Sequence, residues 1–388
     1  MRGQTKKRGS TYSIRYDVGV DPITGKRIQK RQSGFATKRE AEEALARLIA
    51  ESGNRGLPDA DRMTVGDWLR KWLDMHCGGL SPSTAKGYRM IVELHLIPAL
   101  GHLKMAKLKP FHIQDYYTKA QASGRKDSKT SRGVGLSPRT VAQHHRVLHK
   151  ALKQAMRLGL ISHNPCDMVD PPRYDRSVPA TISDKDVDKV LDSVRGTYLY
   201  IPVLIALATG ARRGEVLGLR WSDVDLEGGT ITIRRNLLRV SRQYIVKQPK
   251  TADSVRSIKL PGSIVKELRS HQVRQKEWKL AVGQAWKDSD LVCMREDGSP
   301  INPDSLSAYF TDVMERAGFE GISFHGLRHS HATILLGLNV HPKKVSERLG
   351  HSSTKLTMDT YSHVTPTMQD EVASLLDEKL FSDKRKAK

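Results

Sequence analysis

The stretch HNPCDMVDPPRYDRSVPATIS, residues 163–183, holds four prolines. Proline donates no backbone hydrogen bond and clashes with the preceding helical turn, so no helix or central strand running on from residue 160 can cross it. A second break, ESGNRGLPDADR at 51–62, has the glycine, proline and aspartate content of a linker, and helical periodicity begins only after it. The chain is therefore predicted to fold in pieces, at 1–58, 62–168 and 174–388. A chain of 388 residues is long enough for two or three domains that each bury a core.

The first piece alternates apolar and polar residues around two turn signals, TYSIRYDV, DPITGKR and IQKRQSGF, which predicts a small hairpin sheet. Thr37 then caps a helix, KREAEEALARLIAE, whose Ala41, Ala44, Leu45, Leu48 and Ile49 share the face that packs on the sheet. Arg15, Lys26, Arg27, Lys30 and Arg31 crowd the strands with positive charge. Neighbouring strands avoid such crowding unless a partner neutralises it, and a ribbon lying in a DNA groove would do so; a solvated basic face is the alternative.

The middle piece reads as about four helices: TVGDWLRKWLDMH, SPSTAKGYRMIVELHLIPAL, KPFHIQDYYTKAQA and SPRTVAQHHRVLHKALKQAMRLGL. Ser81 and Ser137 each precede a proline at a helix start. Opposite their apolar stripes these helices carry Lys, Arg or His, with Arg139 and Arg146 suited to phosphate contacts. The loop GRKDSKTSRGVG is poor in apolar residues and is expected to order only on a partner.

Lys and Arg total 65 against 42 acidic residues, a formal charge of +23, and such a surplus attracts a polyanion. Nucleic acid is the leading partner, since neither a polybasic amphipathic helix nor a lipidation signal points to a membrane. No run approaches the roughly 20 apolar residues of a membrane span. The opening MRGQTKKRGS lacks the apolar run of a signal peptide, so a cytoplasmic protein is expected. Cys77, Cys166 and Cys293 form no CxxC pair and read as buried thiols rather than a disulfide or zinc framework. No nucleotide-binding glycine pattern occurs in the right context, so no cofactor is expected.

The last piece opens with helices SDKDVDKVLDSV and YLYIPVLIALATG, followed by strand-like GTITIRR, RQYIVKQ and SVRSIKL. Four of its segments matter jointly: TGARRGEVLGLRW, KQPKTADSVRSIKL, FHGLRHSHATILL and ERLGHSSTKLTMDTYSH. Singly, each admits a plain structural explanation. Arg212 and Lys250 could be surface charges, His325 and Arg328 could bridge a core, His351 follows a turn glycine, and Tyr361 is one of 11 tyrosines.

In this order, the segments resemble the tyrosine recombinases, the phage-type integrases, across the whole catalytic domain. The Thr-Gly-x-Arg box with its acidic residue is matched by Thr209, Gly210, Arg212 and Glu215; the lysine of a hairpin turn by Lys250 with Thr251. His-x-x-Arg-His is matched by His325, Arg328 and His329, Leu-Gly-His by Leu349, Gly350 and His351, and the nucleophile by Tyr361 within Thr-Tyr-Ser-His. With less specificity, residues 64–165 resemble the helical core-binding domain and residues 1–55 the three-stranded arm-binding domain of phage and integrative-element integrases. The implied fold is multidomain α+β: a small N-terminal three-stranded sheet plus helix, an all-α core-binding domain, and a mainly α catalytic domain with a small antiparallel sheet.

The resemblance implies site-specific strand exchange in double-stranded DNA at core-type and arm-type sites, by a homotetramer, with a directionality factor (excisionase) and a host DNA-bending protein as partners. Arg212 and Arg328 would clamp the non-bridging oxygens of one phosphate, where charge builds during attack, without a metal ion. Tyr361 would attack, Lys250 would protonate the departing 5′ hydroxyl, and His325 and His351 would add hydrogen bonds or move a proton. Glu215 reads as an acceptor that holds an arginine in place, and His329 as a supporting residue. The tail TPTMQDEVASLLDEKLF sets Met368, Val372, Leu375 and Leu376 on one face, which would dock on a neighbouring protomer or on its own domain.

Two other functions fit parts of the pattern. A type IB topoisomerase uses related chemistry but usually lacks the arm-binding sheet, and a purely architectural DNA-binding protein or repressor would have no need of Tyr361. Metal binding by His325, His329 and His331 is disfavoured by Arg328 lying among them.

Overall fold

The computed structural model describes residues 3–20, 27–53, 62–125, 134–175, 179–240, 242–247, 255–350, 373 and 376–377. The chain divides into two compact units, Met1–Arg176 and Ser177–Lys388, the division falling inside the proline-rich stretch. Lys26, Lys250, His351 and Tyr361 lie outside the described residues, as do the centre of the GRKDSKTSRGVG loop and nearly all of the tail.

The first unit begins with an antiparallel sheet of order β1-β2-β3, formed by β1 (Gly3–Arg8), β2 (Thr11–Val20) and β3 (Arg27–Phe35). The apolar alternation reveals only β2 and β3. β1, GQTKKR, has no apolar residue to alternate, and the backbone ladder to β2 holds it in place. Helix α1 (Lys38–Gly53) covers one face, with Ile14 and Ala41 fully buried between. Its start follows from Thr37, whose hydroxyl accepts from the Glu40 amide at 3.2 Å, while the Glu40 carboxylate accepts from the Ala36 amide.

The rest of this unit is helical: α2 (Val65–Cys77), α3 (Pro82–Ile91), α4 (Ile97–Leu100), α5 (Pro110–Ser123) and α6 (Pro138–Arg157). Ser81 and Ser137 cap α3 and α6 as their positions predict, and Thr64 with Asp67 forms a reciprocal cap on α2. Between α3 and α4 the chain takes a π-helical turn, Val92–Leu96. Pro98 explains it: with no N–H to offer the Leu94 carbonyl, the ladder shifts register and the Ile97 amide reaches back to Val92. Trp68 and Trp72 fill the core, and burial leaves their indole N–H groups satisfied by the Ala151 carbonyl and Gln154, both at 3.1 Å.

The second unit is organised around α8 (Tyr200–Thr209), a helix with no charged residue. An all-apolar helix has to be surrounded, and α7 (Val187–Val194), α9 (Arg213–Leu217), α10 (Gly262–Val282) and α12 (Gly326–Gly337) pack against it. Helices α11 (Pro303–Arg316) and α13 (Pro342–Leu349) complete the helical part. β4 (Val224–Asp225), β5 (Thr230–Ile233) and β8 (Arg256–Lys259) make one antiparallel sheet, and β6 (Asn236–Val240) pairs with β7 (Gln243–Lys247). This corrects one expectation. The strands flanking Lys250 are β7 and β8, and among the described residues they pair with β6 and β5 rather than with each other, so the lysine segment links two sheets instead of closing one hairpin. No described helix is long and apolar enough to cross a membrane.

Candidate active site

Four segments far apart in sequence meet at one end of α8. The first is the turn out of that helix. Gly210 takes φ 64°, and a Cβ there would lie 2.5 Å from Leu349 Cδ2 and 2.7 Å from His331 Cδ2. Only glycine meets both the left-handed backbone and the contact, and it lets α8, α12 and α13 close on one point.

Two residues on, Arg212 is the N-cap of α9. Its backbone N–H donates to Glu215 Oε2 and its Nη1 to Glu215 Oε1, both at 2.9 Å. An acidic residue at the third helical position thus both caps the helix and aims the guanidinium. The Arg212 side chain is still 43% exposed, which leaves donors open to a ligand. Arg213 binds the Pro303 carbonyl and Ser307 Oγ, tying α9 to α11.

Glu215 is nearly buried and also accepts from Arg256 Nη2 at 2.8 Å. Burial works against its charge, but the hydrogen bond and charge of Arg256, joined by Arg212, win and hold its pKa below the ordinary carboxylate value. Arg256 Nε donates to the Arg348 carbonyl at 2.8 Å, reaching the last turn of α13.

Helix α12 supplies Arg328, which is 3% exposed and whose Nη1 donates to the Gly210 carbonyl at 2.8 Å. His325 is the N-cap of the same helix and meets His329 edge-on, ring centres 5.1 Å apart. Burial, then the charges of Arg328, Arg212 and Arg213, push the His325 pKa below its ordinary value. Both arginines of the boxes thus disfavour the charged form of this imidazole. Beside it, an open hollow of about 370 Å³ is lined by Arg212, Arg213, Asn236, Ser323 and His325.

His331 is not a metal ligand in this arrangement. Its Nδ1–H donates to the Leu207 carbonyl at 2.7 Å and its Nε2 accepts from Arg348 Nε at 3.2 Å, so both ring nitrogens are committed. Burial lowers the pKa values of His331 and His329 to about 4. The unfolded chain takes those protons near 6.5, so below that pH it binds more protons than the folded domain. Stability should be full above pH 6.5 and drain away as the pH falls towards 4, and His331→Gln should flatten the decline. Urea midpoints of the two proteins across that range check it; parallel curves would exclude His331 as a source.

The structure brings Arg212, Glu215, His325, Arg328 and His329 together. Lys250, His351 and Tyr361 are outside the described residues, but β8 begins six residues after Lys250, and the left-handed Gly350 that ends α13 directly precedes His351. Arg256, Arg348 and His331 escaped the reading of the boxes. A signal for Arg256 exists in VRSIKL, where it alternates with Ile258 on the buried face of β8.

On the sheet of the first unit, Arg15 and Arg31 lie directly opposite each other across β2 and β3, on the face away from α1. Like charges so placed repel without a partner. Lys30 is consecutive with Arg31 and points to the other face; the Arg27 side chain is not described. On α6, Arg139 and Arg146 are exposed, and Lys150, Lys153 and Arg157 extend the same stripe by helical spacing.

Residues 181–368 match the Phage integrase family, residues 4–52 the Arm DNA-binding domain and residues 64–120 the Phage integrase, N-terminal SAM-like domain. A tyrosine recombinase XerC-like protein of Caldanaerobacter subterraneus is 29% identical over 95% of this chain and 96% of its own length. The ICEBs1 integrase of Bacillus subtilis is 25% identical over 97% and 99%. The fold is similar to that of a variant Tn1549 transposon integrase in complex with a circular intermediate DNA (TM-score 0.66, 21% identity, 81% of this chain and 99% of that one). It is also similar to the lambda integrase tetramer bound to a Holliday junction (TM-score 0.57, 19% identity, 90% and 96%). With every motif box present in order, Arg212 and Arg328 brought to the Gly210 turn, and matches to all three domain families, the chain carries the phage integrase family domain of the tyrosine recombinases at 181–368, preceded by an arm DNA-binding and a SAM-like domain.

Proposed function

We propose that this protein is a site-specific integrase that cuts and rejoins DNA through a 3′-phosphotyrosyl intermediate, for integration and excision of a prophage or integrative element. The observation that carries it is that Arg328, bonded to the Gly210 carbonyl, and Arg212, held by Glu215 two residues further on, are brought to the same turn, with His325 lining one hollow with Arg212.

In this reading the two guanidiniums bind the non-bridging oxygens of the scissile phosphate, offsetting the charge that repels a nucleophile. Tyr361 forms the new bond from its phenolic oxygen to phosphorus as the bond to the 5′ oxygen breaks. The phenol, with an ordinary pKa of about 10, passes its proton to His325 or His351 as it attacks beside these cations, and Lys250 delivers a proton to the departing 5′ oxygen. His325 and His351 hydrogen-bond the phosphate. A 5′ hydroxyl from another strand then attacks the phosphotyrosine and releases Tyr361, so the ester stores the bond and no ATP is needed. Glu215 and His329 hold Arg212 and His325 in place.

The division of labour follows 1–58 for arm-type DNA, 62–168 for core-type DNA and 174–388 for chemistry. Arg15 and Arg31 serve the first contact, with Lys26, Arg27 and Lys30 adding positive charge to the same domain, and Arg139 and Arg146 serve the second. Four protomers on two duplexes supply one tyrosine per exchanged strand, a directionality factor and a host DNA-bending protein set the outcome, and the work is done in the cytoplasm at the nucleoid. A topoisomerase reading is not favoured, because the arm-type domain has no part in relaxation. Deleting residues 1–58 should cut recombination between full attachment sites yet leave cleavage of a core-only substrate at the full-length rate. Equal recombination by the two proteins would remove the arm-binding assignment.

A further inference from the structure

Arg256 belongs to none of the motif boxes, yet it sits at the junction of the segments that carry them. It is 9% exposed and lies on the inward face of β8. Nη2 donates to Glu215 Oε2 and Nε to the Arg348 carbonyl, each at 2.8 Å. Its third nitrogen, Nη1, is buried and meets no hydrogen-bond partner among the described residues. A Cβ on Gly350 would come within 3.1 Å of that Nη1 and of Cδ, so the guanidinium lies against the turn that leads into His351.

A buried arginine loses its hydration, and a carboxylate partner alone often does no more than offset that loss; an apolar side chain of similar volume can serve stability as well. What an apolar residue cannot do is hold two acceptors at fixed angles, which a planar guanidinium does. One acceptor is the carboxylate that aims Arg212. The other is the end of the helix that delivers His351. We infer that Arg256 is a positioning residue for strand cleavage, a strut that fixes Glu215, and through it Arg212, against the α13 terminus.

The inference rests on the proposed function, and its test separates the two. Wild type, R256M and R256K are compared on a suicide core-site duplex, measuring DNA affinity and the rate of covalent complex formation. A matched duplex carries a methylphosphonate at the scissile position, which removes the charge that Arg212 would neutralise. R256M should bind DNA as wild type does but cleave about 100-fold more slowly, the scale of a sub-ångström to ångström misplacement of a catalytic group. The defect should shrink on the methylphosphonate. R256K, with a charge but no fork, should recover only part of the rate. E215Q combined with R256M should be no slower than the slower single variant, since both act along one path.

R256M cleaving at the wild-type rate, or losing the same factor on both duplexes, would overturn the inference, the latter marking a merely structural residue. Should R256M fail to fold, R256K decides by the same comparison of the two duplexes. A wild-type protein that forms no covalent complex at all would instead sink the recombinase reading.

Discussion

Tyr361→Phe is expected to abolish covalent capture of DNA while leaving core-site affinity unchanged. Phenylalanine removes one oxygen, the only atom of that side chain able to form the ester to phosphorus, and no other group can replace it without rebuilding the site. In the proposed reading the bulk of the affinity comes instead from cations spread over the surface, such as the Arg139 stripe of α6, and is set by the phosphates they neutralise. A denaturing gel of labelled core-site DNA should show no protein-linked band for the variant, and a native gel should show wild-type retardation. A residual covalent band would mean that another tyrosine attacks.

Arg212→Ala should lower the cleavage rate by about 10³-fold or more, the scale on which a single arginine acts in phosphoryl transfer. The effect should fall on chemistry rather than folding, because Glu215 keeps its buried partner Arg256 and because the Arg212 side chain is largely outside the core. Arg328→Ala is a harsher change: Arg328 is buried against the Gly210 carbonyl, so its loss empties a packed site and leaves that acceptor wanting. Single-turnover rates with EDTA present separate the guanidinium clamp from metal-assisted chemistry. Activity of Arg212→Ala restored by a divalent cation, or wild-type activity lost to EDTA, would contradict the clamp.

The residues of this site were legible in the sequence where geometry is local. Glu215 stands three positions after Arg212 because a helix N-terminus puts those two side chains in reach, and the capping bonds bear that spacing out. His325 and Arg328 are one turn apart at the start of α12 for the same reason. Contacts between distant segments leave no such trace. Nothing in the spacing of Arg256 and Arg348 announces that β8 and α13 share a hydrogen bond, and only the burial of an arginine in an apolar alternation hints at it.

The fold shows the same split. Linkers and capped helices are punctuated by proline, serine and threonine, so α2, α3 and α6 begin where those residues place them. β1 was silent, being six residues without an apolar side chain. So was α10, whose inward face includes His271 and Gln275 reaching the Val292 carbonyl, polar residues that blur the apolar period over its length. The pairing of β7 with β6 rather than β8 depends on ladder contacts that alternation cannot assign.

The most direct test is to trap wild-type protein on a nicked suicide core site, digest the complex and identify by mass spectrometry which side chain carries the nucleotide and which end of the strand it holds. The account predicts one adduct, Tyr361 joined to a 3′ phosphate with a free 5′ hydroxyl across the break. An adduct on another residue, or a linkage to the 5′ phosphate, would contradict it.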